Sequence, residues 1–361
     1  MRVLISLTDQ SFRSTKSLGI LNVSLGLTRA LAGRSDIDEL HILGNAEYQS
    51  SFAECGPHVH LHEMERAVPS GWKRVLWDQW GVCRAIRRIA PDWALLPKGF
   101  PPFFLPGGRT RTACYVHDIN WEYYQRLKAG ESPFPPRELV YFRTLCLRAL
   151  RAADLVLTST RFNVERFQAW APGVRAVPIG IGFPPAEKRE RAQGNDILLY
   201  VSPFPHKLTR QAVKWLSRWL ETPAARGRRI HAIGRLPADL KGTLPPERWI
   251  EHGRLAAGEL KRISSRECGA ALYFSAYEGF GMPPVECLLS GVPCLASDLP
   301  PIRENVPARY LFSNEKYGEF EAKLNAALSD RGLPETLPQP TWDEVAERCV
   351  RAMEACPPPK P

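Results

Sequence analysis

Nowhere in the 361 residues does an apolar run approach the roughly 18 residues that a membrane-spanning helix requires. The opening MRVLISL gives way at once to polar TDQSFRSTK, too short for a secretory leader, and reads as a first buried strand. Nine cysteines are scattered, odd in number and without a CxxC pair. That argues against a disulfide framework and points to buried thiols in a reducing compartment, so the expected location is the cytoplasm. Zinc-site spacing is missing as well: His58, His60 and His62 alternate in HVHLH as one face of a strand would. GxGxxG follows none of the strands that can be recognised, which disfavours a dehydrogenase. Helix-turn-helix, zinc and aromatic ribonucleoprotein patterns are absent, so nucleic acid is not an expected partner.

What is present describes a globular protein: 44% hydrophobic and 24% charged residues, in a chain long enough for two α/β domains. A net charge of +10 favours partners that carry phosphate, whether nucleotide, nucleic acid or anionic lipid, without choosing among them.

Short apolar runs alternate with amphipathic stretches almost throughout, the pattern of a parallel sheet covered by helices. RVLISL, DELHILG, ACYVHD, LVLTST and AVPIGIG read as strands of a first Rossmann-like domain spanning 1–183. GILNVSLGLTRALAG, RELVYFRTLCLRALRAAD and RFNVERFQAW read as its helices. Residues 184–194 form a charged, Pro-bounded link with little to bury. The alternation restarts over 195–338 with DILLYVS, TRQAVKWLSRWLE, RRIHAIG, WIEHG, AGELKRISSREC, AALYFS and VPCLAS. A final helix, TWDEVAERCVRAMEA, opens with Thr341 and Glu344 in capping-box register and leads into a proline-rich tail, within 339–361. Two such arrays in succession would form a cleft, with ligands at the carboxyl ends of the strands.

The most informative segment runs from Ser275 to Asp298, SAYEGFGMPPVECLLSGVPCLASD. Strand AALYFS leads into a loop with Glu278, Gly279, Phe280 and Gly281. Pro283 and Pro284 suit the first turn of a helix, where a missing N–H costs nothing. Such a loop brings backbone amides close to a ligand, and the helix start favours an anion. Glu278 and Glu286 flank it as acceptors for hydroxyl-rich ligands. Taken singly, either glutamate reads as an ordinary solvated carboxylate.

The whole string, EGFGMPPVE followed by SGVPCLASD, closely resembles the donor-binding motif of family-four retaining glycosyltransferases. The resemblance covers most of the chain and implies the GT-B fold: two Rossmann-like doubly wound α/β domains facing a central cleft, with a C-terminal helix, here bearing Trp342, crossing back to the first domain. It implies that Glu278 holds hydroxyls of the donor sugar and Glu286 those of the ribose. Backbone amides of Phe280, Gly281 and Met282, ahead of Pro283, would meet sugar and diphosphate oxygens. YVSPFPHKLTRQAVKWL is similar to the family's phosphate loop, usually a glycine-bearing turn followed by Arg-Lys. Lys207 matches the lysine, whereas Ser202 stands for the glycine and His206 for the arginine. A protonated His206, or Arg210 one helical turn on, would supply the lost charge. ACYVHDINWEYY resembles the family's His-Asp segment, which makes His117 an expected active-site group. SLGILNVSLGLTRAL resembles the loop and helix after the first strand, with Gly19 at a close approach. HGRLAAGEL, with Leu255, resembles the segment that packs on the nucleobase.

The implied reaction moves a hexose-type sugar, with retention, from a UDP- or GDP-linked donor to a glycan or lipid-linked acceptor, as in bacterial surface-polysaccharide assembly. The nucleotide-sugar is a substrate, so no cofactor is expected. No DxD motif with a suitable strand context is seen, and no metal is expected. Glu278, Lys207 and His117 are the expected catalytic groups. Two rival readings stay open. One is a sugar-nucleotide epimerase of the same architecture. The other is a non-catalytic basic protein on a membrane or nucleic acid, suggested by arginines among aromatics in KRVLWDQWGVCRAIRRIA and RELVYFRTLCLRALRAAD. For a transferase, the same stretches suggest peripheral contact with an anionic surface at the inner face of the membrane.

Overall fold

The computed structural model describes residues 1–7, 18–45, 48–52, 55–65, 76–103, 108–128, 130–185 and 189–357. The chain divides into two compact units. The first comprises Met1–Trp121, Pro136–Pro184 and Gln339–Pro361; the second comprises Glu122–Pro135 and Pro185–Pro338.

The first unit is built on a parallel sheet of β1 (Arg2–Ser6), β2 (Glu39–Asn45), β3 (Val59–Glu65), β4 (Trp93–Leu96), β5 (Arg111–Tyr115), β6 (Leu155–Thr158) and β7 (Ala176–Pro178). Among the described residues its spatial order is β3-β2-β1-β4-β5-β6-β7. Strands covered on both faces need unbroken apolar runs, and β1, β4 and β6 supply them: Leu4, Ile5, Ala94, Leu95, Val156 and Leu157 are fully buried. WALL, residues 93–96, is a strand the sequence pattern does not announce, since four residues carry too little periodicity.

The second unit repeats the plan with β8 (Asp196–Val201), β9 (Ile230–Gly234), β10 (Trp249–Gly253), β11 (Cys268–Tyr273), β12 (Cys294–Ser297) and β13 (Leu311–Phe312), in the order β10-β9-β8-β11-β12-β13. Both sheets thus reverse their direction of growth beside the first strand, at β1/β4 and at β8/β11, as a doubly wound Rossmann-like sheet does. Two such units in one chain give the α/β composition of the GT-B fold.

The helix Trp342–Glu354 belongs to the first unit. Its capping box is complete: the Glu344 amide donates to Thr341 Oγ1 at 3.3 Å, and the Thr341 amide donates to Glu344 Oε2 at 2.7 Å. Trp342 lies against two glycines. A Cβ at Gly26, in the helix Leu18–Ala32, would stand 2.2 Å from its ring, and one at Gly182 would stand 2.5 Å from it. Only residues without a side chain let the last helix dock so closely.

Two expectations about boundaries change. The stretch Glu122–Pro135 groups with the second unit, because Tyr124 and Phe134 pack on its residues His206 and Phe204. The link 184–194 is also more than a bare connector. Arg189 donates to the carbonyls of Leu288 and Pro334, and Arg191 to those of Ala327 and Asp330. Leu288 and Ala327 lie in the last turns of their helices, where unpaired carbonyls attract cations.

Candidate functional site

At the reversal point of the second sheet, the turn after β8 and the loop after β11 stand side by side. Thr209 closes the turn: its hydroxyl donates to the Ser202 carbonyl at 2.7 Å and accepts from the Ser202 amide at 2.9 Å. A single 3₁₀ turn, Pro205–Lys207, follows and ends on Leu208 at φ +46°. That left-handed conformation costs a residue with a side chain about 1–2 kcal/mol. The β11 loop is anchored from below. Ser297 accepts the Ser275 amide at 2.8 Å and donates to Asn314, whose own amide donates to the Ser275 carbonyl. The His206 carbonyl ties turn to loop, accepting from the Ala276 amide at 2.7 Å and the Ser275 hydroxyl at 3.0 Å.

This framework brings Lys207 to Glu278. Lys207 Nζ donates to Glu278 Oε1 at 2.5 Å and to the Tyr273 hydroxyl at 2.6 Å, and Tyr273 donates to the same Oε1 at 2.7 Å. The side chains of Lys207 and Glu278 are only 24% and 11% exposed, so this is a largely buried ion pair. Burial pushes the Glu278 carboxyl up, but the Lys207 charge and the hydrogen bonds outweigh it and hold the group below its ordinary value. Glu278 is therefore ionised at neutral pH. Among the described residues both hydrogen bonds to it reach Oε1, which leaves Oε2 able to accept from a ligand hydroxyl. Burial and the neighbouring Glu278 raise the Tyr273 phenol well above its usual range, so it stays a donor.

Gly281 sits at φ +91° just ahead of the helix Met282–Leu289, whose first turn carries Pro283 and Pro284. A Cβ there would meet Ile302 Cγ1 at 3.0 Å, so both conformation and space call for glycine. Phe280 is buried beneath the loop, and Met282 and Pro283 are half-buried. Glu286 is open to solvent on that helix, yet enough protein surrounds its carboxyl for burial to raise its pKa.

The expected substitutes for the missing arginine do not behave as expected. His206 is packed among Tyr123, Tyr124 and Phe204, with Lys207 beside it. Burial and then the Lys207 charge push its imidazole down to about 3, so it carries no charge at neutral pH. Arg210 is exposed and turned to Asp239, with Nε and Nη2 donating to the two carboxylate oxygens at 2.9 and 2.6 Å. Ser202 holds its turn through Thr209, as described. Leu255 is half-buried in the connection after β10.

His117 and Gly19 lie in the first unit. His117 follows β5, with Nε2 2.8 Å from the Pro97 carbonyl, which fixes the proton on that nitrogen. Burial pushes this imidazole down to about 4. Gly19 is the second residue of the helix Leu18–Ala32; residues 8–17 before that helix fall outside the described residues. Sequence reasoning missed Tyr273, Tyr124 and the Ser297–Asn314 anchor. Of these, Tyr273 had a signal available: it is the final residue of a strand whose carboxyl end carries the glutamate loop.

Residues 246–340, which contain Glu278, Gly281 and Glu286, match the family model described as glycosyl transferases group 1. Residues 246–340 thus resemble a group 1 glycosyl transferase domain. Over 208 residues it is 27% identical to the O-antigen chain mannosyltransferase RfbU of Salmonella typhimurium (strain LT2), a region covering 55% of each chain. The chain thus spans about half the length of this curated relative. Solved structures extend the likeness in fold across nearly the whole chain. WaaG, a glycosyltransferase involved in lipopolysaccharide biosynthesis, has a TM-score of 0.61 at 13% identity, covering 98% of this chain and 95% of its own. HepE of Anabaena, in complex with UDP and glucose, has a TM-score of 0.58 at 16% identity, covering 98% and 94%. At such identities the likeness establishes the fold around this segment, not its substrate.

Proposed function

We propose that this protein is a retaining glycosyltransferase, moving a hexose-type sugar from a UDP- or GDP-linked donor to a glycan or lipid-linked acceptor in bacterial surface-polysaccharide assembly. The observation that carries the reading is the Lys207–Tyr273–Glu278 constellation beside the Gly281 turn, at the reversal point of the second sheet. As the glycosidic bond breaks, negative charge grows on the departing diphosphate. Lys207 and the amides opening the helix Met282–Leu289 meet that charge with donors already oriented, which lowers the barrier. Glu278 Oε2 accepts sugar hydroxyls, and Glu286 accepts those of the ribose. His117, neutral with its lone pair on Nδ1, accepts a hydroxyl hydrogen. The mannosyltransferase relative and WaaG support the choice of sugar class and pathway.

Contact with an anionic membrane surface fits one patch of the first unit. Leu76 and Trp80 are exposed one helical turn apart, and exposed Arg84, Arg87 and Arg88 continue the same helical stretch. No helix among the described residues is long and apolar enough to cross a membrane.

Thermal-shift measurement against UDP-, GDP- and dTDP-sugars tests the donor, since a ligand that binds only the folded chain stabilises it more the further its concentration exceeds its Kd. One of the three should raise Tm clearly above the others. A sugar nucleotide altered by the protein with no acceptor present would instead favour an epimerase. Proton spectra of the transferred product decide retention, and an inverted anomeric centre overturns it.

A further inference from the structure

The ring of His206 is held by a residue from far away in sequence. Tyr124 Oη lies 2.6 Å from His206 Nδ1, with the two rings at 90° to each other. Tyr124 is itself buried, 2% exposed, and the stretch that carries it is fastened to the rest of the second unit by Phe134 stacking on Phe204 at 5.9 Å. The His206 backbone is fixed independently, by its carbonyl bonds to Ser275 and Ala276. Ring and main chain are therefore both clamped one residue before Lys207. A clamp of this kind is more than packing requires, because an apolar side chain would fill the same space without a buried polar pair.

A phenol is a better hydrogen-bond donor than acceptor, since its oxygen lone pair is partly delocalised into the ring. The groups around the imidazole decide its charge. The rings of Tyr123, Tyr124 and Phe204 exclude water, Lys207 disfavours a second cation next to it, and Glu278 opposes this more weakly. The phenol O–H then donates to the Nδ1 lone pair, and the ring proton resides on Nε2. Among the described residues no hydrogen bond engages Nε2, and His206 is not fully buried.

We propose that Tyr124 is a positioning residue: its hydroxyl holds His206 as the neutral Nε2–H tautomer, which donates a hydrogen bond to the diphosphate of the sugar donor. This rests on the transferase reading given above. A fixed neutral donor beside a single lysine replaces the pair of cations that the family resemblance leads one to expect. The site then holds one positive charge, already matched by Glu278, and relies on oriented N–H groups for the rest.

Long-range proton–nitrogen spectra of the full chain labelled with ¹⁵N-histidine test the tautomer, with His206→Gln used to assign the signal. Wild type should show an unprotonated Nδ1 and a protonated Nε2 from about pH 8 down to about pH 5, and Tyr124→Phe should show mixed tautomers. A proton on Nδ1, or titration of His206 at an ordinary histidine value in wild type, overturns the claim. Calorimetry with UDP and GDP tests the role. Tyr124→Phe should weaken the nucleotide that binds by about 5- to 10-fold, the scale of one misaligned hydrogen bond. It should add nothing further to His206→Gln, and His206→Arg in the Tyr124→Phe background should recover the affinity. Unchanged affinity in Tyr124→Phe overturns the diphosphate role. If wild type binds neither nucleotide, the transferase reading falls and the diphosphate role with it, while the spectra still decide what Tyr124 does to the ring.

Discussion

In the first unit the chain leaves β4 through Lys98 and β5 through His117; in the second it leaves β8 through Lys207 and β11 through Glu278. The two sheets share the order of their first six strands; Lys207 and Glu278 stand beyond the strands at the second reversal point, Lys98 beyond a strand at the first, and His117 one strand further on. Their electrostatics differ. Burial pushes Lys98 down to about 8, which leaves it mostly protonated at neutral pH, and His117 down to about 4, which leaves it neutral. In the second, the Lys207 charge holds Glu278 ionised in a largely buried ion pair. A shared topology fixes where polar groups converge. It leaves open whether they are charged, because burial acts on a single side chain while a partner in hydrogen-bond reach reverses its effect.

Removing one charge at a time puts this contrast under the most severe test. Lys207→Ala or Glu278→Ala should lower transfer by about 100-fold or more, whereas His117→Gln should cost closer to about 10-fold. Equal losses would mean that charge is not what distinguishes the units. Removing one partner of a largely buried pair leaves the other uncompensated, so each single variant should also lose about 3–5 kcal/mol of stability, and Lys207→Met with Glu278→Gln should lose less than the sum. Denaturant titration of the three variants measures it.

Acid provides the next test. His117 and His206 both have folded-state values depressed below that of an ordinary histidine, to about 4 and about 3. Above about pH 6.5 neither state binds the proton, and stability is unaffected. As pH falls below that, the unfolded chain binds protons that the folded chain refuses, so stability declines by at most about 1.4 kcal/mol per pH unit for each ring. The decline should end near pH 4 for His117 and near pH 3 for His206, and each His→Gln variant should flatten it. A melting temperature independent of pH from about 7 to about 4 would contradict both burials.

Gly281→Ala should cost roughly 1–3 kcal/mol through its left-handed conformation and the Ile302 contact, seen as a lowered Tm. On the proposed ribose role, Glu286→Gln should raise the donor KM by about 10-fold with little change in kcat, because a ribose contact would be the same before and during bond breaking. A fall in kcat alone would remove it from the ribose. The smallest effect belongs to the first unit: Thr341→Ala should cost about 1 kcal/mol through its capping box.

Much of this was legible beforehand. The strands RVLIS and CGAALY, the helix Trp342–Glu354 with its cap, and the glutamate loop before two prolines all follow from local rules: apolar runs, caps and the backbone limits of proline and glycine. Those rules act over a few residues, so one sequence suffices to apply them. The four-residue strand at 93–96 and the grouping of Glu122–Pro135 with the second unit escaped, since neither has a periodic pattern of its own.

Two α/β units, the residue types at the second reversal point and the glutamate motif can be read from the order of residues alone. Folding had to supply the rest: Tyr273 completes the Lys207–Glu278 pair, Arg210 is taken by Asp239, and His206 is neutral under Tyr124. Range explains the division. Ionisation depends on which groups stand within a few ångströms after folding, and Tyr124 and His206, 82 residues apart along the chain, become neighbours only when the packed fold brings them together.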